Sequence, residues 1–493
     1  MERTPRENLI EKIKTGVIAV LFVCMVLLLC FFWLNISVKD IKNFSIDSLT
    51  SGEVENGYMP DAKALFVPSK LVITDGTGGY RLFNAEDVDC WTTEERTGMV
   101  DLLAASLNTK PFFLEEITEK QYNEIMDALS ITAIFDYELH FADLCTLVAG
   151  KAPTETDSVG AISSLGFSAA SAESIFVKDD EGKYYRLLLP ESGEFLSSYI
   201  KTLSQSEDEL YFSIDTYLGE SASNGTLVPT ELNAELKDFA IKRDFDIKNH
   251  EEINRLAKRF FSESFDFVRK IEEESGRTVY MYGYGQRILI ADVDGTLEYK
   301  RQASENASSV SFLQAFETAR TFIKAQGGFA TLSGYRLQPY IRSTEYNFDD
   351  NGGSRFVFGL KCGDYPLLSV DNDALTIEVS KGQVTYFKRS FVSFDAESAI
   401  ARPAEAMDAI NVIAKNYNEI YNIMIRNNLV KEAAFDADAE FNVVTDTITD
   451  IAYGYVYDGD NIARSAWLIT CANGRLDVYF SLYNGEFLAY RVK

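Results

Sequence analysis

The chain has 493 residues, of which 75 are Asp or Glu and 47 are Lys or Arg, so its formal net charge at pH 7 is −28. Such a charge repels nucleic-acid phosphates and anionic lipid headgroups, which excludes nucleic-acid binding. Hydrophobic residues make up 46% of the chain and aromatic residues 13%, which excludes a disordered stalk.

The first predicted element is a transmembrane helix over residues 15–36. Residues 16–36 carry no charged side chain and read GVIAVLFVCMVLLLCFFWLNI. At about 1.5 Å per residue they span the roughly 30 Å hydrocarbon core, where only a helix satisfies the backbone of a single segment. A cleaved signal peptide is the alternative, but its apolar region is usually about 7–15 residues long and a small-residue cleavage site follows it. We therefore predict a retained anchor.

Basic residues on the two sides of this span predict its orientation, because Lys and Arg favour the cytoplasmic side of a membrane. Four such residues precede the span and two follow it closely: Arg3, Arg6, Lys12, Lys14, Lys39 and Lys42. We predict a single-pass protein of the cell membrane. Residues 1–14 would be a cytoplasmic tail and 37–59 a juxtamembrane segment, with the bulk of the chain extracytoplasmic.

The chain after the anchor is predicted to be α+β, with several extracytoplasmic domains made of helices and antiparallel sheets. Residues 60–226 form the first domain, with helices near 93–107 and 117–128 and a hairpin in SIFVKDDEGKYYRLLLP. Residues 227–308 form a middle domain. It contains a helix in NHEEINRLAKRFF and alternating strands in TVYMYGYGQRILIADVDGTLEYKR.

Residues 309–493 are predicted to contain two similar units, 309–391 and 402–492, each a helix followed by an antiparallel meander. The helix in SFLQAFETARTFIKAQGG should be capped by Ser309 or Ser311 and stop at Gly327–Gly328. The second helix should begin at Pro403. The alternative is that the units look alike only because β-hairpins share glycine turns and alternating aromatic residues.

Cysteine and histidine residues give no sign of a metal or cofactor site. Four cysteines follow the anchor: Cys90, Cys145, Cys362 and Cys471. They form no CxxC, so they are either buried or lone thiols, or they pair as Cys90–Cys145 or Cys362–Cys471 within the predicted domains. Two histidines, His140 and His250, cannot supply a histidine-rich site, and the acidic clusters lack the pattern of an EF-hand.

The sharpest chemical pattern is ILIADVDGTL, in which Asp292 and Asp294 follow an apolar strand. It is similar to the first motif of haloacid-dehalogenase-type phosphatases, in which the first Asp accepts the phosphoryl group and the second acts as general acid. Those enzymes need a parallel sheet of continuously apolar strands, whereas the strands here alternate. We predict an acidic β-turn with Gly295 at positive φ, and keep the phosphatase as an alternative. With no other enzyme signature, the chain is not predicted to be an enzyme.

Several segments together resemble the YycH family, membrane-anchored accessory regulators of the WalK (YycG) sensor histidine kinase in Gram-positive bacteria. The likeness begins in IEKIKTGVIAVLFVCMVLLLCFFWLNI and continues in TLVPTEL, RLAKRFFSESFDFVRK and TVYMYGYGQRILIADVDGTLEYKR. The segment SRFVFGLKCGDYPLLSVDNDALTIEVSKGQVTYFKRSF is also similar to the sister protein YycI.

The resemblance implies a regulator of cell-wall metabolism that acts by contact, because the family has no catalytic residues. Its partners would be a WalK-like kinase and a YycI-like protein, reached through the outer domains and the membrane helices. The residues of the span best able to pack against another helix are small or polar: Gly16, Ala19, Val23, Cys30 and Asn35.

An extracellular ligand- or peptide-binding module is the alternative function. Tyr280, Tyr282 and Tyr284 alternate along one predicted strand and would share one of its faces. A pocket lined by the three rings would favour this alternative.

Overall fold

The computed structural model describes residues 57–92, 98–219, 225–230, 232, 236–304, 308–394, 399, 406–431 and 437–493. The predicted anchor lies outside these residues, together with its five candidate contact positions Gly16, Ala19, Val23, Cys30 and Asn35. Within the described ranges, every helix is too short or too polar to span a bilayer.

The first half of the described chain alternates short helices with strands. Its helices are α1 (Ala62–Leu65), α2 (Met99–Asn108), α3 (Glu119–Met126), α4 (Phe141–Ala149), α5 (Glu194–Ser204) and α6 (Asp215–Leu218). Its strands are β1 (Lys70–Thr74), β2 (Tyr80–Phe83), β3 (Leu114–Ile117), β4 (Ser130–Ile134), β5 (Ile162–Ser168), β6 (Ser174–Asp179), β7 (Tyr184–Leu188), β8 (Leu210–Ser213) and β9 (Leu227–Pro229).

These nine strands form one antiparallel sheet in the order β3-β7-β6-β5-β4-β1-β2-β8-β9. Period-2 alternation separates its two faces: Ile175 and Val177 of β6 enter the main core, whereas Phe176 packs with α3 on the other side. The predicted hairpin around residue 182 is therefore confirmed as β6–β7. Strand β9 pairs with β8, so the sheet continues past the boundary proposed at residue 226.

The second half contains longer helices and a larger sheet. Its helices are α7 (His250–Phe261), α8 (Phe312–Ala325), α9 (Ala409–Arg426) and α10 (Ala437–Thr447). Its strands are β10 (Phe239–Arg243), β11 (Arg269–Glu272), β12 (Thr278–Tyr282), β13 (Arg287–Ala291), β14 (Leu297–Arg301), β15 (Gln338–Tyr346), β16 (Ser354–Cys362), β17 (Tyr365–Ser369), β18 (Leu375–Ser380), β19 (Gln383–Arg389), β20 (Val392–Phe394), β21 (Asp450–Tyr457), β22 (Ile462–Cys471), β23 (Leu476–Ser481) and β24 (Phe487–Val492).

Local sequence signals explain the bounds of the two helices predicted in this half. The Ser311 hydroxyl accepts from the Gln314 amide at the start of α8, and Gly327 and Gly328 follow its end with positive φ, as predicted. The second helix, α9, begins later than predicted, because Asp408 caps it through the amide of Asn411. Pro403 lies outside the described residues.

Three helix-plus-meander groups share this sheet. Helix α7 precedes β11–β14, α8 precedes β15–β19, and α9 and α10 precede β21–β24. The first two groups join where β14 pairs with β19 in antiparallel fashion. The last two join where β17 runs parallel to β21. The predicted α+β class is confirmed, and the residues assigned to the middle and C-terminal domains form one continuous sheet.

A shared core connects the two sheets. Phe66, just after α1, packs edge-on against Phe316 and Phe312 of α8, with ring centroids 4.7 and 5.8 Å apart. Burying aromatic rings of this size is a large part of what stabilises a core, at about 1.5–3 kcal/mol for each side chain. The described residues accordingly belong to a single compact unit.

Candidate functional site

One end of the meander β11–β14 brings together aromatic and arginine side chains. The register sets Tyr282 opposite Arg287, and Arg287 opposite Arg301. Phe267 precedes β11 at this end, and Tyr284 lies in the turn between β12 and β13. We name the group the aromatic–arginine surface: Phe267, Tyr282, Tyr284, Arg287 and Arg301.

Tyr284 is the most exposed member of the aromatic–arginine surface. Its side chain is fully exposed (107%), and its backbone is left-handed, with φ 56°. Gly283 and Gly285 on either side also have positive φ, at 60° and 98°. Glycine adopts this conformation freely, whereas a bulky residue there is strained by roughly 1–3 kcal/mol. The turn therefore holds an aromatic ring fully in solvent at an energetic cost, which makes Tyr284 a candidate contact residue.

The two arginines of the surface sit at the open end of an otherwise buried sheet face. Leu289 and Tyr299 lie on the same face, two register pairs inward, and are 0% and 3% exposed. The guanidinium carbon of Arg287 is 4.3 Å from the centroid of the Tyr282 ring. Burial raises the pKa of Tyr299, while the charges of Arg301 and Arg287 and a hydrogen bond from Arg287 oppose that rise.

The arginine pair is unusual for its charge. Like charges directly opposite each other on antiparallel strands repel, whereas opposite charges stabilise the pairing. Elsewhere in the described sheets, directly opposite charged residues have opposite signs: Glu115–Arg186, Glu298–Lys388, Glu345–Arg355, Glu378–Arg355 and Asp477–Arg491. Arg287–Arg301 is the exception among the described strands. Within those residues no carboxylate oxygen lies within 4.0 Å of either guanidinium.

Two open depressions adjoin the arginines. The first, of about 480 Å³, is lined by Gln286, Arg287, Arg301, Gln302, Ala303 and Ser304. The second, of about 610 Å³, shares Arg301 and is lined on its apolar side by Phe322, Ala325 and Val384. The surface thus offers positive charge, amide groups and apolar area next to one another.

Asp292 and Asp294, the residues of the phosphatase alternative, lie at the opposite end of the same hairpin. They belong to the turn between antiparallel strands β13 and β14, with Gly295 at φ 82°, which confirms the predicted acidic turn. Asp292 is paired with Arg277 at 3.0 Å, and Asp294 accepts a hydrogen bond from the amide of Thr296 at 2.9 Å. Asp292 thus links its turn to the neighbouring connection between β11 and β12, and Asp294 stabilises the turn itself.

The three tyrosines expected on one strand face are separated by the structure. Tyr280 is buried and donates to the side-chain oxygen of Asn254 at 2.6 Å, while Tyr284 lies beyond the end of β12. The expectation of a shared face is wrong for Tyr284, because the glycine turn redirects the chain after Tyr282. A pocket lined by all three rings therefore does not form.

The cysteines and histidines singled out in the sequence lie outside the aromatic–arginine surface. Cys90, Cys145, Cys362 and Cys471 are all free thiols. His140 stacks on Tyr346 with ring centroids 4.0 Å apart, and His250 opens α7, 3.7 Å from Glu272. Among the described residues, no three His, Cys, Asp or Glu side chains are arranged to hold a metal ion.

The arginine pair was missed at the sequence level although a signal for it was present. The predicted turn at Asp292–Gly295 fixes the register of its hairpin. Counting outward from Ala291 opposite Leu297 brings Arg287 opposite Arg301. Such counting requires a known turn type, because a slip of one residue would move every side chain to the other face.

No protein-family model matches this chain, and no curated protein matches it either. Among solved structures, the chain is similar to the Bacillus megaterium YpeB C-terminal domain, with a TM-score of 0.24 and 11% identity. That match covers 49% of this chain and 96% of the YpeB chain. The YycH resemblance therefore stays a prediction.

Proposed function

We propose that this protein is a membrane-anchored, extracytoplasmic regulator of a two-component sensor histidine kinase that controls cell-wall metabolism, and that it acts by protein–protein contact. Its partners would be a WalK-like kinase and a YycI-like protein, as the resemblance to the YycH family implies. Residues 15–36 would provide the anchor and a second contact within the membrane.

The exposed, strained Tyr284 is the observation on which the contact surface rests. Aromatic residues and Arg are enriched in the buried cores of protein interfaces, because the rings bury a large apolar area and Arg and Tyr also form hydrogen bonds. Tyr284, Phe267 and the arginine pair supply this combination at one end of one sheet. Phe267 is 79% exposed, so two large rings face solvent there.

A contact of this kind can regulate a kinase without catalysis. A partner that binds one of two kinase conformations more tightly shifts their equilibrium by its difference in affinity. A roughly tenfold difference corresponds to about 1.4 kcal/mol, which is within the contribution of a single interface residue.

The test replaces Tyr284 by Asp in the full-length protein, co-expressed with the kinase in the cell that encodes both. Tyr284 is fully exposed, and Asp tolerates the left-handed backbone better than Tyr, so the free energy of unfolding should stay the same or rise by up to about 1 kcal/mol. Association with the kinase should weaken about tenfold or more, and transcription of the kinase-controlled wall genes should change. The control is Tyr217→Asp, another exposed tyrosine, on α6.

Two results would contradict the proposal. If the Tyr284→Asp protein shows unchanged association with the kinase and unchanged transcription, the aromatic–arginine surface is not the contact surface. Equal effects of Tyr284→Asp and Tyr217→Asp would show that any added surface charge acts, and not this site. Replacing residues 16–36 by an unrelated apolar span tests the membrane contact separately, by the same two measurements.

A further inference from the structure

We infer that Arg287 and Arg301 form a binding site for a carboxylate group carried by a polypeptide partner. The inference rests on the proposed function, since it names the chemical group that the aromatic–arginine surface holds. It adds to that function a specific site, Arg287 and Arg301, and a specific ligand group, a carboxylate.

The repulsion between the two arginines is the first argument. Directly opposite residues on paired strands have their Cβ atoms about 4.5–5.5 Å apart, so the two guanidinium groups can reach the same small anion. Each guanidinium presents a planar fork of N–H donors that matches the two oxygens of a carboxylate. An anion held between them turns a repulsive pair into two attractive ones.

Among the described residues, the carboxylates near the arginines do not neutralise the pair. Glu298 and Lys300 lie on the other face of β14, and Glu298 is paired with Lys300 at 2.9 Å. Glu317 lines the second depression, but its carboxylate accepts a hydrogen bond from Arg320 at 2.9 Å. Within the described residues the positive charge is therefore available to a ligand.

The groups around the arginines favour a peptide over a phosphate. Gln286, Gln302 and Gln383 line the two depressions, and each amide both donates and accepts hydrogen bonds, as a peptide backbone does. A phosphate group needs donors alone. Phe322 and Val384 provide apolar area beside Arg301, where a side chain next to the carboxylate can be buried. The partner is accordingly an acidic residue flanked by apolar residues in an accessible segment.

The experiment measures peptide binding to the full-length protein in detergent micelles by fluorescence polarisation. The probes are a labelled pentapeptide with one Asp between two Phe residues and the same peptide with Asn in place of Asp. The Asp peptide should bind about tenfold more tightly, because a charge-assisted hydrogen bond is lost in the Asn peptide. Added acetate should weaken binding of the Asp peptide.

Arg301→Gln is the deciding variant, because Arg301 is exposed and its replacement should leave the fold unchanged. It should remove the preference for Asp over Asn. Arg287→Gln should do the same, although it also loses packing on Tyr282. Arg269→Gln, on the exposed edge strand β11, is the matched control and should leave the preference unchanged.

Equal affinity for the two peptides, or an Arg301→Gln protein that keeps the Asp preference, overturns the inference. Arg301-dependent binding of inorganic phosphate or of phosphatidylglycerol vesicles, without binding of the Asp peptide, also overturns it and assigns the site to phosphate. These failures leave the proposed function standing if Tyr284→Asp still weakens kinase association. If Tyr284→Asp leaves kinase association unchanged but the protein still prefers the Asp peptide, the proposed function fails and the carboxylate site stands.

Discussion

The guanidinium of Arg389 donates a hydrogen bond of 2.6 Å to the carboxylate of Asp244, where the two side chains are only 3% and 1% exposed. Arg389 ends β19, and Asp244 directly follows β10. The second oxygen of Asp244 accepts from the backbone amide of Leu332 at 2.7 Å. This ion pair therefore fixes the segment after β10 to the meander that follows α8.

Arg389→Met should destabilise the protein by about 3–5 kcal/mol, because it leaves the Asp244 charge buried without its partner. Urea unfolding monitored by tryptophan fluorescence measures the change. The control is Arg320→Gln, which breaks the more exposed Arg320–Glu317 pair and should cost no more than about 0.5 kcal/mol. A loss below about 1 kcal/mol for Arg389→Met would contradict the prediction.

Asp143 should make stability depend on pH. Burial raises the pKa of its carboxyl group, while a hydrogen bond from Tyr346 and the proximity of His140 oppose that rise. The folded protein thus binds this proton more tightly than the unfolded chain. The contribution of Asp143 to the free energy of unfolding is fully present below the unfolded pKa of about 3.9, and it is lost as pH rises through the raised folded pKa.

Asp143→Asn isolates this effect, since Asn does not titrate and both proteins keep His140. Urea unfolding at a series of pH values above about 3 should show the wild type losing stability relative to the variant as pH increases. A stability difference that stays constant, or that grows in favour of the wild type, would show that Asp143 is not the group responsible.

The four cysteines of the described chain should stay reduced and react slowly. Burial raises the pKa of the Cys90 and Cys471 thiols to about 12 and that of Cys362 to about 11, and it also raises the pKa of Cys145. The thiolate is the reactive form, so little of it exists at pH 8. In pulsed maleimide labelling read by mass spectrometry, Cys362 should react first because it is only partly buried.

Labelling in urea provides the control for the cysteine prediction, since all four thiols should then react at similar rates. A residue that stays unlabelled in urea until a reductant is added would reveal a disulfide. That result would favour the pairing Cys90–Cys145 or Cys362–Cys471 that the sequence left open.

Glycine at position 454 should be required for the close approach of the parallel strands β17 and β21. A Cβ atom at Gly454 would lie 2.7 Å from the carbonyl oxygen of Pro366, closer than packed atoms allow. Gly454→Ala should therefore cost about 1–3 kcal/mol in urea unfolding. Gly459→Ala is the control, because no atom lies within 4 Å of a Cβ placed there, and it should change stability by less than about 0.5 kcal/mol. Equal effects of the two substitutions would contradict this account.

The amino-acid sequence was sufficient for features that depend on neighbouring residues. Ser311 and Gly327–Gly328 bound α8 because a cap and a left-handed stop act within one helical turn. The Asp292–Gly295 turn and the strands around it follow from alternation and turn chemistry, and so does the α+β class. The anchor over residues 15–36 and the regulatory function derived from resemblance remain predictions.

Only the tertiary structure decided which distant segments pair. The parallel contact of β17 with β21 joins two meanders that are about 85 residues apart, and no local pattern encodes such a partner. The tertiary structure also separates the tyrosines, since Tyr280 is buried in the core and the glycine turn exposes Tyr284. The absence of a nearby carboxylate around Arg287 and Arg301 in the described chain is likewise a property of packing, because any of 75 acidic residues could have supplied one.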